Sequence, residues 1–383
     1  MTDFNLIRQF NFPTTIRFGA GAVKELPHHL VANGLKRPLL VTDPIVNGLE
    51  FFKQIKQSLS AGSMSVEVFS DIHKNPVKSD VLKGGDVYQQ TGTDCIIGIG
   101  GGAAMDVGRA IALRINHHRD LFDYDDLTGG DQYVTEEVPY FITVPTTSGT
   151  GSEVGRSAII SDDDTHRKRI LFSPKLLARI VFADPLLTMD LPPFVTAATG
   201  MDALTHNMEA FISKNFHPLA AGIGLEGIFL INQSISDAVN KPDLESRSKM
   251  MIASLMGAVA FQKGLGVVHS LAHPLSSLLD THHGLANAVN LPYGMQCNAP
   301  GMELEFKRMA QAMELTVTTG ESVVSHLFDL NQRIGLPIKL RDIGVKDIHL
   351  ETLADLALAD FCHPNNPKPV TRNDFKQLYS AAL

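Results

Sequence analysis

The chain has 383 residues, 44% hydrophobic and 19% charged, with a formal net charge of −8. That is the composition of a globular protein too long for one ordinary core, so two domains are expected. An acidic balance without a basic stripe excludes a nucleic-acid partner, and no run of about 18 apolar residues is present to span a bilayer.

The first segment, MTDFNLIRQFNF, lacks a basic stretch followed by an apolar core and does not read as a signal peptide. Short β-rich runs then alternate with helical patterns. RPLLVTD (37–43) reads as a strand and LEFFKQIKQSL as a helix. MSVEVF (64–69) reads as a strand, followed by a helix with Ser79 as its N-cap. TDCIIGIG (93–100) reads as a buried strand leading into the helix AAMDVGRAIALRI, whose end carries the short basic cluster His117, His118 and Arg119, read as solvated. Asp123, Asp125 and Asp126 read as an exposed loop, and PYFITVPTT and RSAIISD as further strands. Strands alternating with helices imply a parallel sheet with right-handed crossovers.

After IVFADPLLTMDLPP the pattern turns helical, with segments near 193–212, 217–239, 245–262, 265–279, 301–314, 320–333, 346–359 and 371–383. The Pro-bearing stretch 185–193 is the expected hinge, giving an α/β domain over 1–184 and a helical domain over 185–383. A cleft between two such domains is the expected place for chemistry. Cys95, Cys297 and Cys362 are odd in number and widely spaced, with no CxxC, so a reducing cytoplasm is expected rather than a disulfide framework.

Two constellations carry the chemistry. Gly98-Ile99-Gly100-Gly101-Gly102-Ala103 lies between a strand and a helix, where glycine lets the backbone approach a pyrophosphate and the helix N-terminus offers free N–H groups. PTTSGTGSE (145–153) adds small hydroxyl and glycine residues suited to a ribose or phosphate. Asp43, closing LLVTD, is placed to accept from an adenosine 2′-hydroxyl and repel a 2′-phosphate, favouring NAD over NADP; it also opens an Asp-Pro turn, and one residue can do both. The second constellation is Asp202 and His206 in GMDALTHNMEAF, then His269 and His273, then His282 and His283. On a helix, positions i and i+4 share a face, so Asp202 and His206 can grip one ion, and His269 and His273 repeat that spacing. Either pair alone would be an ordinary surface contact; together they describe a mononuclear metal site, with His282 facing away.

These residues together resemble the iron-containing, or group III, alcohol dehydrogenase family over nearly the whole chain. The likeness rests on LLVTD, KNP (74–76), GIGGGAAMD, PTTSGTGSEV, Lys168 before FSP, FADP, TGMDALTH, GLGVVHSLAHPL with DTHHG, and NNPKPVT. The resemblance implies a Rossmann-like dinucleotide-binding α/β domain followed by an all-helical metal-binding domain, the architecture of dehydroquinate synthase. It implies Asp202, His206, His269 and His283 as metal ligands and His273 as the proton relay on the nicotinamide side. Asp43, Asn75, Pro76, Gly100, Gly101, Gly102, Asp106, Thr146, Thr147 and Lys168 match positions along the dinucleotide, and Ser157, Phe261 and Cys362 the substrate pocket. There are departures: Ala103 and Ala104 replace the usual serine and proline, Phe261 stands one residue nearer His269 than a family pocket aromatic, and Arg156 replaces an uncharged residue.

One carboxylate and three imidazoles suit Fe(II), with Zn(II) the alternative. The expected reaction is hydride exchange between an alcohol carbon and nicotinamide C4 while the ion polarises the substrate oxygen. A homodimer acting on a small alcohol or aldehyde is the family expectation. Rival readings are a glycerol-type polyol dehydrogenase, a hydroxyacid–oxoacid transhydrogenase, a dehydroquinate synthase-like lyase (GGGAAMD lacks the lysine expected of it) and a non-catalytic sensor or filament subunit.

Overall fold

The computed structural model describes Phe12, residues 14–165 and residues 167–383. Two compact units account for them: an α/β unit over 14–147 and 151–190, and a helical unit over 148–150 and 191–383.

The α/β unit runs β1 (Thr15–Phe18), α1 (Leu26–Ala32), β2 (Pro38–Val41), α2 (Pro44–Gly48), α3 (Glu50–Ala61), β3 (Glu67–Phe69), α4 (Lys78–Thr91), β4 (Cys95–Gly100), α5 (Gly102–Asn116), β5 (Tyr140–Pro145), β6 (Ser157–Ser161), β7 (Lys168–Phe172) and β8 (Ile180–Ala183). Six strands form one sheet in the order β1-β8-β5-β4-β2-β3, and every pairing in it is parallel. Residues along β2 and β4 are buried throughout, as in a sheet covered on both faces. Period-two alternation splits them between two cores. Leu39, Val41 and Ile96 join one cluster with Val107 and Ile111 of α5; Leu40, Ile97 and Ile99 join another with Leu30 of α1 and Phe52 of α3.

Because β2 leads outward to β3 while β4 leads the opposite way to β5, the crevice beyond the ends of β2 and β4 is the sheet's topological switch point, where such sheets bind ligands. Several expectations are corrected in this unit. The strands β6 and β7 leave the sheet and form a separate antiparallel ribbon, because β6 is tied to α5: the Ile159 N–H donates to Asp106 Oδ2. Val77, not Ser79, precedes α4, whose Asp80 reaches back to the Val77 N–H. His117 is buried, with Nδ1 on the Leu113 carbonyl and Nε2 accepting from the Glu136 N–H. Asp125 is buried too, 3.1 Å from Arg169. The unit continues to Asp190, because Asp184 caps the turn Pro185–Thr188 and also accepts from the Gly21 and Val23 N–H groups.

The helical unit holds α6 (Pro193–Ile212), α7 (Pro218–Asn240), α8 (Leu244–Ala260), α9 (Val267–Leu279), α10 (His283–Asn298), α11 (Glu303–Ala312), α12 (Gly320–Arg333), α13 (Leu350–Leu358) and α14 (Arg372–Ala382) around one large core. The helix α7 has the length and hydropathy of a membrane span, yet it packs along both α6 and α8 and buries Gly224, Gly227, Ile228, Ile231 and Ile235.

Sequence reading left α10 without a helix, for two physical reasons. Gly284 through Met295 is buried on every face, so no polar stripe marks a 3.6-residue period, and Pro292 reads as a breaker. The proline is tolerated because the Ala288 carbonyl, which its missing N–H would have served, accepts instead from Asn331 Nδ2 of α12 at 2.7 Å. Gly284 lets α10 lie directly on α6: a Cβ there would overlap the Ala198 carbonyl oxygen.

Candidate functional site

In the α/β unit the predicted cofactor residues gather at the switch point. Gly100 ends β4 with φ +150°, a conformation open to glycine, and a Cβ there would stand 2.8 Å from the Ala104 Cβ and 3.5 Å from Asp43 Oδ2. The ends of the neighbouring strands β2 and β4 therefore meet. Asp43 Oδ1 accepts from the Ile45 and Val46 N–H groups, both at 2.9 Å, and so caps α2, while Oδ2 faces Gly100. Gly101 caps α5, Gly102 starts it, and Thr147 lies beside Gly101. The Thr146 N–H donates to the Gly100 carbonyl at 3.0 Å.

Other predicted positions lie along the ribbon. The Pro76 carbonyl, next to Asn75, accepts from the Ser161 N–H, and Ser161 pairs with Lys168. Asp106 serves the scaffold: Oδ1 accepts from Arg109 Nη1 at 2.9 Å and Ser152 Oγ at 2.6 Å, and Oδ2 from Ile159. Ser157 opens β6, its carbonyl accepting from the same Arg109. Arg156 is half-buried with its guanidinium over the Phe172 ring, and no carboxylate pairs with it among the described residues.

In the helical unit, Asp202 and His206 project from α6, His269 from α9 and His283 from the start of α10. One donor atom from each lies within 4.8 Å of the others. Asp202 Oδ1 is 3.9 Å from His206 Nε2 and 3.4 Å from His283 Nε2, and the His206 and His269 rings stack at 4.8 Å. Burial pushes His206 down to about 4, with Asp202 only partly offsetting it, so the ring is neutral and carries a lone pair at neutral pH. His282 instead caps α10, its Nδ1 accepting from the Leu285 N–H.

Sequence reasoning missed the residues that orient these groups. Glu209, with both oxygens engaged, accepts from His269 Nδ1 at 2.6 Å, from the Val268 N–H at 2.6 Å and from the His269 N–H at 3.3 Å. It satisfies the first N–H groups of α9 and fixes the His269 tautomer, leaving Nε2 as the donor atom. Burial works to lower His269, but the Glu209 bond and charge raise it above the ordinary histidine value. Glu209 was legible in principle, since it stands at i+3 from His206 and i+7 from Asp202 on one helix face. Asp360 had no local signal. Its Oδ2 accepts from His273 Nδ1 at 2.7 Å, and its Oδ1 from Ser270 Oγ at 2.6 Å and the Cys362 N–H at 2.9 Å. Burial would raise the Asp360 carboxyl, but His273 and these donors hold it at about 2.

His273 lies beside the ligand set, its ring 5.4 Å from that of His283 and 5.4 Å from that of Phe361. Phe261 meets His206 edge-on at 5.3 Å. Cys362 is buried and, with His273 and Asp360, forms a second close group of potential donor atoms. Of the three expected pocket residues, Phe261 and Cys362 belong to the helical unit and Ser157 to the α/β unit. The carboxylate and three imidazoles have the chemistry and spacing to hold a divalent first-row ion.

Residues 13–185 match the model of the iron-containing alcohol dehydrogenases, and residues 196–383 that of the Fe-containing alcohol dehydrogenase family, C-terminal. The chain belongs to the iron-containing alcohol dehydrogenase family. It is an oxidoreductase of that family, an NAD-linked alcohol dehydrogenase or aldehyde reductase that uses a metal. It is 37% identical over 380 residues to a 4-hydroxybutyrate dehydrogenase of Cupriavidus necator, covering 97% of this chain and 98% of the relative. A solved 1,3-propanediol oxidoreductase superposes with a TM-score of 0.94 at 32% identity, covering 98% of this chain and 100% of the other. A sulfoacetaldehyde reductase from Bifidobacterium kashiwanohense, solved in complex with NAD+, superposes at 0.87 with 26% identity, covering 98% and 99%.

Proposed function

We propose that this chain interconverts a primary alcohol and its aldehyde at one divalent ion held by Asp202, His206, His269 and His283, with Fe(II) the native ion and NAD the hydride carrier. The observation that carries the reading is the convergence of those four donor atoms beside the His273–Asp360 pair. When bound, the ion would supply Lewis acidity to the substrate oxygen and the nicotinamide would supply the hydride chemistry. Glu209 keeps the His269 lone pair directed at the ion's position. His273 is the proton carrier: Asp360 stays ionised, holds Nδ1, and leaves Nε2 to exchange the hydroxyl proton. The absence of a thiolate ligand favours iron over zinc.

Asp43 supports NAD over NADP, since Oδ1 is committed to the helix cap and Oδ2 is left for a ribose hydroxyl. Asn75, Pro76, Gly100, Gly101, Gly102, Thr146, Thr147 and Lys168 complete the cofactor set, with Asp106 acting through Ser152 and Arg109. The substrate class tested first is a short ω-hydroxy acid and its semialdehyde. The similarity to a 4-hydroxybutyrate dehydrogenase and the Arg156 guanidinium, with no carboxylate partner among the described residues, support it. Ser157, Phe261 and Cys362 are proposed pocket residues, and a cytoplasmic homodimer is the proposed working form.

The test is metal analysis with NADH oxidation against an aldehyde panel, with and without terminal carboxylates, for the wild type and His269→Ala. The variant loses the metal and about 10³-fold or more in turnover, the share that several kcal/mol of Lewis acidity contributes. Undiminished metal and full activity would remove the assignment. Asp43→Asn keeps the helix cap yet narrows the preference for NADH over NADPH; an unchanged preference would refute the role given to Asp43. Turnover only with a paired oxoacid and no net NADH formation would favour the transhydrogenase.

A further inference from the structure

Asn287 stands four residues after His283 and so on the same face of α10. Its Nδ2 is 2.7 Å from Asp202 Oδ1, 3.3 Å from His269 Nε2 and 3.2 Å from His283 Nε2. Three of the four proposed ligand atoms thus surround one amide nitrogen. The Asp202 carboxylate settles which way the amide points, since only Nδ2 can donate to it. The arrangement is costly: Asn287 is fully buried, and its Oδ1 has no hydrogen-bond partner among the described residues. A leucine of similar size would leave no orphaned acceptor in this core, so scaffold packing alone does not explain an amide there.

We propose that Asn287 is a positioning residue for the metal centre, its amide holding the Asp202 carboxylate in the orientation that binds the ion. The inference rests on the metal reading above. Two N–H groups face three acceptors, so the contacts are unequal. The bond to Asp202 is short and charge-assisted, while the two imidazole contacts are longer and neutral. An imidazole lone pair serves one donor or one cation at a time, so a cation takes His269 and His283 from the amide. The carboxylate has lone pairs to spare and keeps its bond. The bond to Asp202 is made with and without the ion, so the amide acts by holding the carboxylate in place beforehand, and the two longer imidazole contacts are the ones an ion displaces. Gly284 makes this possible by letting α10 approach α6 closely enough for Asn287 to reach Asp202.

The experiment titrates metal-stripped wild type, Asn287→Leu and Asn287→Ala with Co(II) against a chelator, following the visible d–d absorption and, separately, NADH quenching. Loss of an orienting partner of a ligand raises the dissociation constant by about 10–100-fold. The saturated Co(II) spectrum and NADH quenching should match wild type, because no ligand and no cofactor contact is removed. Metal affinity within twofold of wild type in both variants would overturn the proposal. So would a changed saturated spectrum, which would make Asn287 a direct ligand. Should Asn287→Leu fail to fold, Asn287→Ala, which adds no bulk, gives the same reading. If wild type itself takes up no Co(II), the metal centre falls and this inference with it; if only the variants' affinity is unchanged, the metal centre stands.

Discussion

The two units handle their binding groups in opposite ways. In the α/β unit the site is made of backbone: a glycine at φ +150°, helix starts at Pro44 and Gly102, and short loops leaving the ends of β2 and β4. In the helical unit it is made of side chains, each propped by another: His269 by Glu209, His273 by Asp360, Asp202 by Asn287. Their buried acids differ as well. Glu209 meets three donors, whereas Glu153 of the α/β unit has a buried Oε1 with no hydrogen-bond partner among the described residues. A backbone site tolerates most side-chain changes except at its glycines. A side-chain site depends on every prop.

Three variants sharpen that contrast. The largest effect is expected from Gly100→Val, which adds backbone strain of about 1–3 kcal/mol and crowding of similar size against Ala104, about 2–6 kcal/mol together. NADH quenching should be lost while Co(II) affinity stays at the wild-type value; retained NADH binding would break the comparison.

Next comes Glu153→Gln. Burial pushes the Glu153 carboxyl up to about 7 from its free value of 4.5, with a backbone donor and Arg109 only partly offsetting it. Between those values the folded protein keeps a proton that the unfolded chain has lost, so stability falls as pH rises through that window and is flat above it. The fall amounts to about 3 kcal/mol. The glutamine variant should lack it, as denaturant midpoints at pH 5, 6 and 7 would reveal; parallel pH profiles would count against a protonated Glu153.

The smallest is Glu209→Gln, with metal affinity lowered about 10–100-fold and NADH binding unchanged. Equal metal affinity would mean that His269 needs no orienting carboxylate.

Much of this was legible before any fold was known. Asp202 with His206, and His269 with His273, stand at i, i+4, and a helix of 3.6 residues per turn puts such pairs on one face whatever surrounds it. GIGGG between an apolar run and a helical pattern declared its turn for an equally local reason. What failed to read was non-local. The helix α10 carries both His283 and Asn287, but its burial on all sides removes the periodic signal, and only Asn331 of α12 makes Pro292 acceptable there. The strand β6 looked like part of the sheet because strand propensity does not encode a partner, while the Asp106–Ile159 bond ties it to α5, and its partner β7 was not read as a strand at all. Asp125 and His117 looked solvated because their partners, Arg169 and the Glu136 N–H, are 44 and 19 residues away.

The sequence by itself determined the donor types, their helical spacing, the strand–glycine–helix turn and, through these, the family. Tertiary structure alone decided that a carboxylate and three imidazoles from three helices come within 4.8 Å of one another, and that Glu209, Asp360 and Asn287 bond His269, His273 and Asp202 across 60, 87 and 85 residues of chain. Local periodicity fixes only which face a side chain occupies. Which faces meet is settled by packing, here by the bare Gly284 backbone lying on Ala198.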